Sequence, residues 1–165
     1  MNGTVDVVIE DPRWEDVDLG AIGAKIFATL AVHVPLPDGA EAVVMGCNDD
    51  RIAALNTQFR DKPTPTNVLS WPTEDRAASK IGGVPDAATD PELGDIALAF
   101  ETCQREAAEQ GKSFDAHVTH LYLHGLLHLL GYDHIEDADA ELMELTEVAV
   151  LASLGYSNPY EHAVS

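Results

Sequence analysis

Three histidines fall within the stretch HGLLHLLGYDH, at positions 124, 128 and 134. His124 and His128 are four residues apart, so on a helix both imidazoles leave the same face one turn apart. Two Nε2 atoms placed that way can meet one tetrahedral cation at ~2.0–2.1 Å each. His120 competes for the role, but eight residues of helix rise about 12 Å, so His120 and His128 cannot share one ion. The third donor must come from chain that turns back. Gly131 supplies the turn, because glycine tolerates the left-handed backbone that ends a helix. His134, three residues on, then swings over the pair. The pattern reads as three nitrogens with one open coordination position, as in catalytic sites, whereas structural zinc sites close with four ligands. Asp133 either orients an imidazole through its second nitrogen or faces solvent. His117 and His120 read as helix-face or supporting residues, and His33 and His162 carry no signal.

The spacing matches the metalloprotease pattern H-E-x-x-H-x-x-G-x-x-H at every ligand position. It departs at Gly125, where those enzymes carry the glutamate that serves as general base. Peptide hydrolysis of that type is therefore disfavoured. A metal can still act as a Lewis acid and lower the pKa of its water toward ~7. A substrate that is already anionic needs cationic help more than a glutamate. The segment LNTQFRDKPTPTNVLSWP (55–72) offers it. Arg60, at the end of a helix and before a strand, carries a planar fork suited to clamping a phosphate, and Thr66 and Asn67 add hydrogen bonds. The plainer reading of Arg60 is a cation complementing a helix C-terminus.

These residues need a scaffold, and the periodicities outline one. TVDVVIE (4–10) alternates like a half-buried strand before Asp11-Pro12. Residues 18–33 carry an apolar helical stripe that Pro35 and Pro37 end. EAVVMGC (41–47) reads as a strand, and Asn48 caps a helix over 49–60. After the turn-rich 61–67 come the strand VLSW (68–71), the long loop candidate 73–91 and the strand LGDIALA (93–99). A helix over about 100–110 ends at Gly111, and Ser113 caps the next, which runs to about 130. A last helix fills 137–154 and ends at Gly155. On it Glu141, Glu144 and Glu147 recur every three residues, as on a solvated face. The expectation is a single α+β domain over 1–165, with a four-stranded mixed sheet and about five helices.

Composition narrows the partners. Nine Lys plus Arg oppose 29 Asp plus Glu, a formal charge of −20, which repels nucleic acid at long range and argues against a DNA- or RNA-coating role. Arg51, Arg60, Lys62, Arg76 and Lys80 nevertheless cluster within 51–80, either as a local basic surface or as scattered solvated charges. No run approaches the ~18 apolar residues of a membrane span, and the N-terminus shows no secretory signal. Cys47 and Cys103, with no C-x-x-C spacing, read as reduced buried thiols of a cytoplasmic protein.

Taken together, HGLLHLLGYDH (124–134), NTQFR with PTNVLSWP (56–72) and LGDIALA (93–99) resemble the YbeY endoribonuclease family, the metal-dependent bacterial rRNA maturation factors. The resemblance covers roughly residues 40–155. It implies that His124, His128 and His134 bind a divalent metal, usually zinc, and that Arg60 matches the arginine associated with catalysis at the RNA phosphate. It also implies single-strand-specific endoribonuclease activity, maturation of the small-subunit rRNA 3′ end and a part in ribosome quality control. Asp61-Lys62-Pro63-Thr64 stands where the family commonly has Gly-Lys-Asp-Lys, with loop length kept and charge order changed. Zinc is the expected cofactor, although three imidazoles also accept Ni or Co. The expected partners are single-stranded rRNA and ribosomal proteins or the small subunit, with no DNA and no membrane. Two rivals remain: an assembly factor whose metal is mainly structural, suggested by the charge of −20, and a hydrolase of another bond, which Gly125 opposes.

Overall fold

The computed structural model describes residues 4–34, 36, 39–60, 66–72, 92–132 and 137–156, with Phe59, Arg60, Pro72 and Asp137 placed by backbone alone. Four strands and five helices follow in the order β1 (Thr4–Ile9), α1 (Leu19–His33), β2 (Glu41–Cys47), α2 (Asp49–Arg60), β3 (Val68–Pro72), β4 (Glu92–Ala99), α3 (Phe100–Glu109), α4 (Phe114–Leu129) and α5 (Asp137–Ser153). A short 3-10 turn, Pro12–Asp16, lies between β1 and α1. The sheet order is β1-β2-β4-β3. β1, β2 and β4 run parallel, and β3 pairs antiparallel with β4. This is the mixed sheet and α+β class expected from the sequence.

The helix boundaries have local causes. The Asn48 side chain accepts from the Arg51 backbone N–H at 2.8 Å and so caps α2. Ser113 caps α4 by accepting from Ala116 N–H at 3.1 Å. Gly111, Gly131 and Gly155 all have positive φ, at 66°, 104° and 91°, where side-chain-bearing residues are strained.

β1 departs from expectation. Its alternation suggested one buried face, yet Val7, Val8 and Ile9 are each more than a third exposed. The strand lies at the sheet edge, and α1 shields only part of it.

The sheet buries apolar side chains on both faces. On one, Cys47, Leu69, Ala97 and Ala99 pack with Ile52 and Leu55 of α2. On the other, Val44, Ile96 and Leu98 share one core with apolar residues of α1, α4 and α5, and α4 packs on β3 and β4. A one-residue register shift opposite Glu41/Ala42, with Gly94 at φ 141°, places Leu93 in the same core as Ile96. α4 is the central helix: it packs across β3 and β4 and buries residues on most of its circumference. Cys47 and Cys103 are free, buried thiols, as expected, and burial raises both, Cys47 to about 12.

Candidate metal centre

α4 carries His117, His120, His124 and His128 at i, i+3, i+7 and i+11, a single stripe along the helix. Each ring meets a different partner. His117 Nε2 lies 2.9 Å from Glu106 Oε1 on α3. Burial pushes the His117 imidazole below its ordinary pKa against the pull of that carboxylate, so the ring is neutral and donates Nε2–H. His120 Nε2 is 3.0 Å from Glu147 Oε1, and His124 Nδ1 is 2.6 Å from Glu147 Oε2. His128 Nδ1 is 2.9 Å from the Tyr132 carbonyl oxygen. The Nε2 atoms of His124 and His128 face each other at 3.0 Å.

Glu147 corrects the sequence reading. Its spacing with Glu141 and Glu144 suggested a solvated face, but Glu147 is 0% exposed, while the other two are exposed. It occupies the buried stripe of α5 that also contains Met143, Val150 and Leu151, a helical spacing of four and three that a search for acidic periodicity alone overlooks. Burial by itself would raise the Glu147 carboxyl. The hydrogen bonds from His120 and His124 outweigh it and hold the group at about 2. Because the folded value lies below the ordinary 4.5, the carboxylate contributes stability in full above about pH 4.5 and loses it as pH falls toward 2. In metal-free protein, Glu147→Gln should cost about 1.5–3 kcal/mol near neutral pH, the range for losing a hydrogen bond to a charged group, with the deficit closing between pH 4.5 and 2. Urea unfolding of both proteins across that range checks it.

The hydrogen bonds determine which nitrogens carry protons. The Tyr132 carbonyl only accepts, so His128 Nδ1 must donate. Ionised Glu147 only accepts, so His124 Nδ1 must donate too. With a hydrogen on each Nδ1, the two Nε2 atoms are the positions left to bind a cation, and they face each other across 3.0 Å. Such a contact is favourable with a cation between the nitrogens, either a proton carried by one ring or a metal ion. Two zinc-bound imidazole nitrogens at ~2.05 Å in tetrahedral geometry lie about 3.3 Å apart. The donor set therefore fits a transition-metal ion.

A second convergence is also present. Donor atoms of His120, His124 and Glu147 lie within 4.8 Å of one another and could hold a metal. In this arrangement both Glu147 oxygens already accept from imidazole N–H groups, and the carboxylate is sealed from solvent. Its chemistry is that of an anchor for the rings.

Gly125 explains why the protease base is missing. A Cβ there would lie 3.1–3.3 Å from three side-chain carbons of Ile96 on β4. Position 125 thus faces the sheet, and the glycine lets α4 approach it. Gly125→Glu would bury an unpaired carboxylate in that contact, so we expect a loss of roughly 3 kcal/mol or more and no gain of peptidase activity. Chemical denaturation and a peptide-substrate assay check both parts.

The structure brings together His124 and His128 of the expected site. His134 and Asp133 lie outside the described residues, as do the Arg60 side chain and the 61–65 and 73–91 segments. Arg60 is the last residue of α2. Thr66 and Asn67 precede β3. Asn67 Nδ2 donates to Glu106 Oε1 at 3.0 Å, and its side-chain oxygen accepts from Val68 N–H. It therefore sits with His117, seven residues or about 10 Å of helix from His124. Of the basic cluster, Arg51 is paired with Glu10 at 3.0 Å.

The profile of the family described as endoribonuclease YbeY matches residues 9–155. The chain belongs to this family. Proteins named endoribonuclease YbeY from Cereibacter sphaeroides and Ruegeria pomeroyi are 56% and 55% identical to it. The first alignment covers 97% of this chain and 100% of the relative; the second covers 95% and 98%. The YbeY protein of Paracoccus denitrificans is 52% identical, with 96% and 91% covered. In fold, the chain resembles the solution structure of a Thermotoga maritima protein, with a TM-score of 0.57 at 20% identity over 95% of this chain and 99% of that one. No helix among the described residues is long and apolar enough to cross a membrane.

Proposed function

We propose that this protein is a zinc-dependent, single-strand-specific endoribonuclease that matures the 3′ end of small-subunit rRNA and serves ribosome quality control in the cytoplasm. Membership of the endoribonuclease YbeY family makes it an RNA-cleaving hydrolase. The observation that carries the metal assignment is the pair of Nε2 atoms facing each other at 3.0 Å, with each Nδ1 held by an acceptor.

His124 and His128 hold the cation, and His134 supplies the third nitrogen. When bound, the ion supplies Lewis acidity toward a phosphodiester oxygen. Glu147 and the Tyr132 carbonyl hold the two ring N–H groups away from the ion. Asp133, next to His134, orients that ring in the same manner. Arg60 places its guanidinium fork on the phosphate and stabilises charge that develops there. Thr66 and Asn67 bind the RNA strand from the start of β3, with Asn67 fixed by Glu106. The net charge of −20 favours delivery to RNA by basic ribosomal proteins of the small subunit over independent capture.

The test is cleavage by purified protein stripped with chelator and then reloaded with zinc. Single-stranded RNA should be cut only after reloading, and duplex RNA should resist. Undiminished cleavage by stripped protein would overturn metal dependence. Zinc binding with no cleavage under any condition would favour an assembly factor with a structural metal.

A further inference from the structure

We infer that Glu147 is a positioning residue that sets the metal affinity of this site by locking the tautomer of His124, with His120 holding the carboxylate in place. The inference rests on the metal reading above but concerns residues that reading assigns no ligand role. Three observations carry it. Glu147 comes from a different helix, α5, and is fully buried between two α4 imidazoles. Its two oxygens are divided between them, Oε2 to His124 Nδ1 at 2.6 Å and Oε1 to His120 Nε2 at 3.0 Å. His124 turns its other nitrogen toward His128.

The chemistry follows from what each atom can do. An imidazole has one lone pair for a cation only on the nitrogen that lacks hydrogen. A neutral His124 in solution exchanges that hydrogen between its nitrogens. Against Glu147 a hydrogen stays on Nδ1, so in the neutral ring the lone pair for a cation lies on Nε2. Loss of such an outer partner commonly lowers metal affinity 10–100-fold. His120 completes the device. By donating to Oε1 it keeps the carboxylate from rotating toward the cation and becoming a ligand itself. One carboxylate thus ties the packing of α5 on α4 to the readiness of the metal site.

Two measurements test this on the full chain. The first needs no metal: long-range proton–nitrogen NMR of the stripped wild type near neutral pH. We expect His124 as the Nδ1–H tautomer and His120 as the Nε2–H tautomer. Finding His124 protonated at Nε2 alone overturns the inference, whatever the protein does with zinc. The second is zinc affinity by chelator competition for Glu147→Gln and His120→Ala, with folding verified by circular dichroism. The neutral amide of E147Q can accept from only one of the two rings and carries no charge, so its zinc Kd should rise 10–100-fold. H120A should weaken zinc less than E147Q does. Folded E147Q that binds zinc like wild type contradicts the role of Glu147. H120A that loses zinc entirely makes His120 a ligand and contradicts its role as a clamp. Failure of wild type to bind zinc would sink the metal reading while leaving the tautomer result standing.

Discussion

His128→Ala is expected to leave a folded protein that neither retains zinc nor cleaves single-stranded RNA. Zinc affinity should fall by more than the 10–100-fold typical of losing an outer-shell partner, because a direct donor is removed. Cleavage should drop to the level of protein without metal. Alanine removes both the 3.0 Å contact with His124 and the hydrogen bond from His128 Nδ1 to the Tyr132 carbonyl. Metal-free H128A should therefore stay folded, less stable than metal-free wild type by about 1 kcal/mol, the net worth of one hydrogen bond. Zinc should raise the melting temperature of wild type and leave that of H128A unchanged, since only a ligand bound by the native state stabilises it. Melting curves with and without zinc, alongside an RNA cleavage assay, check all three parts. An H128A whose melting temperature rises with zinc as much as that of wild type would mean that the ion binds elsewhere, and the assignment of His128 would be wrong.

Arg60→Ala is expected to separate catalysis from metal binding in the other direction. Arg60 ends α2, before the 61–65 connection to β3, and is assigned to the phosphate. Removing one preorganised electrostatic contact to developing charge typically costs 10²–10³ in rate. We expect a loss of that order in RNA cleavage with zinc content unchanged. Lysine should restore little of it, since an ammonium lacks the bidentate fork. If Arg60 only complemented the C-terminus of α2, the change would cost about 0.3–1 kcal/mol of stability and leave cleavage intact. Metal analysis and cleavage kinetics on a nuclease-free preparation decide between the two.

Much of the scaffold could be read from residues whose local chemistry is strong. Asn48 and Ser113 cap the helices they were expected to cap, because a side-chain acceptor at a helix start acts within three residues. Gly111, Gly131 and Gly155 adopt the positive φ that ends a helix for the same local reason. The spacing of His124 and His128 needed only helix geometry to predict that their rings would meet. What the sequence concealed was tertiary. The exposure of Val7 and Ile9 follows from the edge position of β1, which a pattern of alternation does not encode. The burial of Glu147 follows from the packing of α5 on α4. Its partner His124 lies 23 residues away in sequence, and no motif links them. Gly125 was legible as an absent base, but the reason became visible only with Ile96 beside it. Asn67 was expected at the RNA, and the fold adds a contact the sequence did not suggest, with Glu106 beside His117.

The most direct test of the central claim is the position of the ion itself. Crystals grown with one equivalent of zinc, measured at the zinc absorption edge, should show one anomalous peak per chain at the junction of the His124 and His128 Nε2 atoms, with Glu147 still hydrogen-bonded to His124 Nδ1. A peak between His120 and Glu147, or no peak in protein that remains folded, would contradict it.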